Sequence, residues 1–214
     1  MGKTFRNLAL IMLSIFVVSS STAFSQKNVG KLARHDAKDF SYGLKIGLNV
    51  STITYGGDEV KSRVGLVGGI FGKIKLGTDL GLSAELLYSQ QGCDLEGNYD
   101  NFTTLTASIK ADYLNIPILL NWYVPGVDGL SIKAGLQPGF LLSSSVDATL
   151  GNLTVNIDDE FSFNSVDFSI PLGISYELAF GLLFDVRYNI GITDVFEDGK
   201  GSNNVFQFTV GYRF

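Results

Sequence analysis

Cysteine and histidine each occur once in this chain, at Cys93 and His35, and proline only four times in 214 residues. A lone cysteine excludes an internal disulfide. A lone histidine in a polar amino-terminal arm, outside any predicted strand, leaves serine–histidine hydrolysis without its base. Basic clusters are missing as well, and the net charge is -5, so a phosphate backbone finds no complementary surface and no nucleic-acid partner is expected. Beyond the first twenty-odd residues no stretch approaches the ~20 consecutive apolar positions of a membrane helix. No catalytic residue and no cofactor is indicated. What is abundant is glycine, 25 residues, together with a dyad alternation of apolar and polar positions.

The leader, Met1 to Ser25, carries Lys3 and Arg6, then an apolar core from Leu8 through Val18, then small residues ending at Ala23-Phe24-Ser25. This resembles a secretory signal peptide cleaved after Ser25; the core is too short for an anchor helix. Residues 26–40 show no sustained period and are expected to form a flexible periplasmic arm. Residues 41–214 are expected to form one domain.

Side chains alternate across a strand, so residues two apart share a face. From Val205 to Phe214 this places Phe206, Phe208, Val210, Tyr212 and Phe214 on one side, with Gln207, Thr209 and Arg213 on the other. The same pattern predicts strands over Ser41–Ser51, Arg63–Leu76, Asp79–Gln91, Ile109–Val124, Leu130–Ser144, Ser165–Glu177 and Phe180–Gly191. Parity is ambiguous only in the second, where Val67 and Phe71 fall opposite Val64, Leu66, Ile70 and Ile74. Pro117, Pro138 and Pro171 predict bulges or breaks in pairing, because proline cannot donate to a ladder.

Eight such strands, greasy on one face and ended by aromatics, predict an all-β fold: an eight-stranded antiparallel up-and-down transmembrane β-barrel. Within hydrocarbon every backbone amide needs a partner, and only a closed sheet supplies one. Connections alternate between tight turns (Gly77–Asp79, Pro125–Gly129, Leu178–Ala179) and long loops (Thr52–Ser62, Gly92–Ser108, Ser145–Asn164, Ile192–Asn204), with the long set assigned to the outside. A soluble lipocalin-like lipid-binding barrel, its apolar faces turned inward, is the alternative fold.

The inward face then carries Lys45, Lys73, Lys75, Glu85, Lys133, Asp167, Glu177, Asp185, Arg187 and Arg213. Eight of these, Lys45, Glu85, Lys133, Asp167, Glu177, Asp185, Arg187 and Arg213, are expected to pair as a structural charge network filling a narrow lumen, in preference to a proton or ion path. Trp122, Tyr88, Tyr123, Tyr188 and Tyr212 are expected at the interfaces as an aromatic belt. The outer loops are acidic: Asp58, Glu59, Asp94, Glu96, Asp100, Asp147, Asp158, Asp159, Glu160, Asp194, Glu197 and Asp198 outnumber Lys61 and Lys200. None of these matches an EF-hand spacing, so solvated acidic loops are expected in preference to a divalent-cation site.

The segments Tyr42–Asn49, Ala84–Gly92, Tyr113–Pro117, Lys133–Gly135, Asp185–Thr193 and Val210–Phe214 resemble the PorT-like outer-membrane β-barrel family of Bacteroidota. The resemblance implies a small outer-membrane barrel in contact with lipid. It also implies insertion by the barrel-assembly machinery, with Tyr212 and Phe214 as the C-terminal assembly signal. No biochemical activity transfers with it. A structural or surface-interaction role through the long loops, toward envelope or secretion partner proteins, is expected; a narrow channel for small solutes is the alternative.

Overall fold

The computed structural model describes residues 40–55, 58–59, 61–100, 103–150, 153–156, 163–195 and 201–214. The predicted signal peptide, the arm up to Asp39, His35 and the acidic residues Asp158–Glu160, Glu197 and Asp198 lie outside the described residues.

Eleven strands form one sheet: β1 (Phe40–Tyr55), β2 (Asp58–Glu59), β3 (Lys61–Lys75), β4 (Leu80–Asp100), β5 (Thr103–Asn115), β6 (Ile118–Tyr123), β7 (Leu130–Leu150), β8 (Leu153–Asn156), β9 (Val166–Glu177), β10 (Leu182–Gly191) and β11 (Ser202–Arg213). The last strand pairs with the first, antiparallel, from Gly43↔Arg213 to Thr54↔Ser202, so the sheet closes on itself. β2 and β8 are short hairpin extensions at the far rim. β5 and β6 together make one stave of the wall. Across the junction between them the register against β4 and β7 is kept, Leu87↔Asn115 continuing as Ala84↔Ile118 and Leu114↔Phe140 as Ile118↔Leu136. The closed ring therefore has eight staves.

Prolines mark two interruptions of the ladder, while its register shifts elsewhere, between Ser62 and Val67, Asn98 and Asp100, and Asp112 and Tyr113. Pro117 interrupts the β5–β6 stave, yet its carbonyl still accepts from Glu85 N at 3.0 Å, and Ile116 N donates to Pro138 O at 2.9 Å. Between β7 and β9 the ladder runs to Ala134↔Leu172 and resumes at Gln137↔Ser169, skipping the position of Pro171. A missing donor interrupts the ladder without shifting it.

Parity is resolved by the apolar residues. Leu44, Ile46, Leu82, Leu120, Ile132, Ile174, Phe184, Phe208 and Val210 point outward and are exposed, while Asp185 and Arg187, neighbours of Phe184, are each 2% exposed. An apolar exterior around a polar interior excludes the lipocalin-like alternative, whose faces are reversed. In β3 the outward residues are Val64 and Leu66, and the ambiguous pair Val67 and Phe71 turn inward and are buried.

The walls extend farther than the sequence pattern indicates. Gly92–Ser108, expected as a loop, is mostly ladder: β4 and β5 pair from Leu87↔Asn115 up to Asp100↔Thr103. β1 and β7 likewise run on into Thr52–Ser62 and Ser145–Asn164, ending at Tyr55 and Leu150. In these stretches the alternation of apolar and polar positions that marks a strand fades in the sequence while the backbone pairing continues. At the opposite end the turns are tight. Gly129 adopts φ +84°, and a Cβ there would lie 2.1 Å from Glu177 O, so only glycine fits the β6–β7 turn against β9.

Candidate functional site

The inward residues form a lumen of successive layers. At the tight-turn end a cavity of about 820 Å³ opens outward, lined by Ser41, Lys73, Lys75, Tyr123, Ser131, Glu177 and Arg213 among others. Glu177 is gripped by both Lys73 and Arg213. Lys75 pairs with no carboxylate among the described residues and sits 5.8 Å from the centre of the Tyr123 ring. Tyr123 is thus a lumen residue, correcting its place in the expected belt: it shares the parity of Asn121, one step from the outward Trp122. Trp122, Tyr88, Tyr188 and Tyr212 do face outward.

Above this vestibule lies the ionic layer. Two residues along β7 from Ser131, Lys133 Nζ donates to Asp185 Oδ2 at 2.5 Å. Arg187 Nε donates to Asp185 Oδ1 at 2.8 Å, and its terminal nitrogens reach Glu85 at 3.0 and 2.9 Å. Lys45 Nζ donates to Glu85 Oε1 at 2.9 Å and stands 3.8 Å from Asp185. β10 supplies two members of this group because 185 and 187 share a face; β1, β4 and β7 supply the rest. A forked guanidinium between two carboxylates, with one ammonium reaching both and a second on Asp185, is a rigid, charge-assisted arrangement. Phe71 joins the two ionic groups: its ring centre is 5.6 Å from Lys45 Nζ and 5.7 Å from Lys73 Nζ.

The third layer is neutral and polar. Asn49 Nδ2 donates to Ser89 Oγ at 2.8 Å, Gln91 Nε2 donates to the same hydroxyl at 2.8 Å, and Asn203 Nδ2 donates to Gln91 Oε1. Asn189 Nδ2 donates to Gln207 Oε1 at 3.4 Å, and Gln137 Nε2 to Ser169 Oγ at 3.1 Å. The fourth layer, in the wall above the lipid band, is apolar: Ile53, Cys93, Ile109, Val146 and Val195 pack together, with Phe163 against them. Desolvation there pushes the Cys93 thiol up to about 11, which leaves it protonated and unreactive at neutral pH.

Of the eight charged residues expected to share one network, the structure brings five together: Lys45, Glu85, Lys133, Asp185 and Arg187. Glu177 and Arg213 form the separate vestibule group with Lys73. Asp167 stands apart and accepts from Thr193 Oγ1 at 2.5 Å. Charge sign alone does not separate these groups, because height in the lumen depends on strand stagger. The polar-layer amides and the inward Phe71 escape a reading that follows charge, since neither carries any. Parity is the available signal, and Asn49, Asn189 and Gln207 share it with Lys45, Arg187 and Arg213. At the outer rim Asp94 accepts from Ser108 Oγ at 2.8 Å, and Asp147 pairs with Lys110 at 2.8 Å. The expected acidic surface is in part neutralised there.

No curated protein matches this sequence. Among solved structures the fold is similar to Ail, the attachment invasion locus protein of Yersinia pestis, at 14% identity and a TM-score of 0.51, covering 81% of this chain and 98% of that one. Ail in complex with the heparin analogue sucrose octasulfate compares at 13% identity and 0.50, covering 82% and 99%. The outer membrane protein OprG from Pseudomonas aeruginosa compares at 18% identity and 0.41, covering 84% and 97%. At 13–14% identity the likeness to Ail is one of fold alone. A family model described as outer membrane protein beta-barrel domain matches residues 24–197, and with its closed eight-stave ring, apolar exterior and filled polar lumen the chain belongs to that family.

Proposed function

We propose that this protein is a non-conducting integral outer-membrane barrel, delivered by a signal peptide cleaved after Ser25, whose role is structural or exercised through the outer rim toward envelope or secretion partner proteins. One observation carries the reading: above the vestibule the interior is filled by buried ion pairs and then by hydrogen-bonded amides, with a buried apolar cluster toward the outer rim. A vestibule whose floor is a layer of buried ion pairs backed by hydrogen-bonded amides offers a solute no continuous wet path. The rim is then the part left for recognition. Its strand walls stand above the lipid band, and its sequence is acidic, so the sucrose octasulfate of one Ail complex is not carried over to this chain. PorT-like membership within the family is the finer assignment, supported by the six segments quoted above. Under it the barrel-assembly machinery reads Tyr212 and Phe214, outward rings 5.5 Å apart at the last strand's end.

The test is conductance. The folded protein in a planar lipid bilayer is expected to show no discrete current steps. Regular openings in the purified protein, lost on replacing Arg187, would establish the narrow-channel reading instead.

A further inference from the structure

The ionic layer does not balance. Lys45, Lys133 and Arg187 bring three positive charges against the two carboxylates of Glu85 and Asp185, and all five side chains are nearly removed from solvent. The neighbouring carboxylates do not supply the difference. Glu177 is held by Lys73 and Arg213, a group that itself carries one positive charge in excess. Asp167 lies six residues along β9 from Gly173, the position that faces both Lys133 and Arg187, and is turned to Thr193. An uncompensated charge enclosed in a low-dielectric lumen is strongly unfavourable.

Next to this excess, β11 places two inward side chains with unused hydrogen-bonding capacity. Gln207 is cross-strand from Arg187, and Thr209 from Asp185. Both are buried, at 1% and 3% exposure, and neither Gln207 Nε2 nor Thr209 Oγ1 has a partner among the described residues. An amide nitrogen can only donate, and a hydroxyl can donate. On the other side of β11, Thr209 is opposite Gly47, and Gln207 is opposite Asn49, whose Oδ1 is likewise buried without a partner among the described residues. The surplus positive charge, with two free donors beside a guanidinium, favours an anion there over the cation that the neighbouring amide oxygens of Asn49 and Asn189 could otherwise hold.

We propose that the lumen binds one monovalent anion of halide size, seated between Gln207 Nε2 and Thr209 Oγ1 next to Arg187, where it neutralises the ionic layer. The site is a structural counter-ion site, since every side chain around it is 4% exposed or less.

Anomalous diffraction from crystals of the folded barrel grown in sodium bromide tests this directly. The expected result is a bromide peak in the lumen within hydrogen-bonding reach of Gln207 and Thr209. The peak is lost in Lys133→Gln, which leaves two cations against two carboxylates, and in Thr209→Val, which removes a donor at nearly constant volume. A wild-type lumen without bromide overturns the proposal, as does a peak that persists in either variant. Should Lys133→Gln fail to fold, Thr209→Val decides, together with the melting temperature of the wild type in chloride and in gluconate. Higher stability in chloride, abolished by Thr209→Val, supports the site; equal stability in the two salts refutes it.

Discussion

Replacing Glu85 by glutamine should destabilise the barrel far more than replacing Lys133 by glutamine, although each removes one charge from the same layer. Glu85 accepts from Lys45 at 2.9 Å and from both terminal nitrogens of Arg187 at 3.0 and 2.9 Å. Its neutralisation leaves three cations facing Asp185 alone. Breaking a buried ion pair by removing one partner costs about 3–5 kcal/mol, because the surviving charge is stranded. Loss of Lys133 removes one hydrogen bond to Asp185, worth about 1.5–3 kcal/mol for a charged group, and at the same time brings the layer to neutrality. Asp185 keeps Arg187 at 2.8 Å and Lys45 at 3.8 Å. The net loss for Lys133→Gln is therefore expected at about 1 kcal/mol. Urea titration of the protein in phospholipid vesicles, in gluconate buffer, reads both values. Trp122, the only tryptophan, faces the lipid and reports its loss on unfolding. If Lys133→Gln cost as much as Glu85→Gln, bond count and not charge sum would govern the layer, and the reasoning would fail.

On the lipid face, Phe184→Arg should cost about 2–4 kcal/mol in the same titration if the residue lies near the bilayer midplane, with little loss near an interface. Phe184→Leu should be nearly silent. Cys93 should resist maleimide in the folded barrel at pH 7 and react fully once unfolded, since it is 1% exposed with its thiol pushed up to about 11. Because folding favours its protonated form, that contribution is fully present below the ordinary thiol value and is lost as pH rises through about 11. A Cys93→Ala variant should lack this part of the alkaline decline, and an identical pH dependence in the two proteins would contradict it.

How much of this can be read from the residues differs by layer. From Phe184 along β10 and from Phe206 along β11 alternate residues declare their faces, because lipid accepts only apolar side chains and the lumen accepts charge; Phe184, Asp185, Val186 and Arg187 are unambiguous. Phe71 breaks that logic. The lumen tolerates an aromatic ring where two ammonium groups flank it, and only the closed barrel brings Lys45 and Lys73 to its two sides. Leu87, Leu119 and Leu183, also inward and buried, are hidden from the pattern for a different reason: the interior is dense enough that a side chain of the right volume fills it. Residues 92–108 read as loop since a strand with no lipid on either side has no obligatory alternation, and hydrogen-bonding capacity leaves no mark in side-chain pattern. Partition of the charges into two groups depends on stagger between strands, which a linear sequence does not display.

Near the tight-turn rim Phe214 N donates to Tyr42 O at 2.9 Å, and the rings of the two residues lie 5.8 Å apart. The beginning of β1 and the end of β11 are thus as close as two strands joined by a hairpin. A circular permutant linking Phe214 to Phe40 and opened instead at Gly126 should rebuild the same cylinder. The seam between first and last staves would then be an accident of gene order, with no mechanical privilege over the other seven.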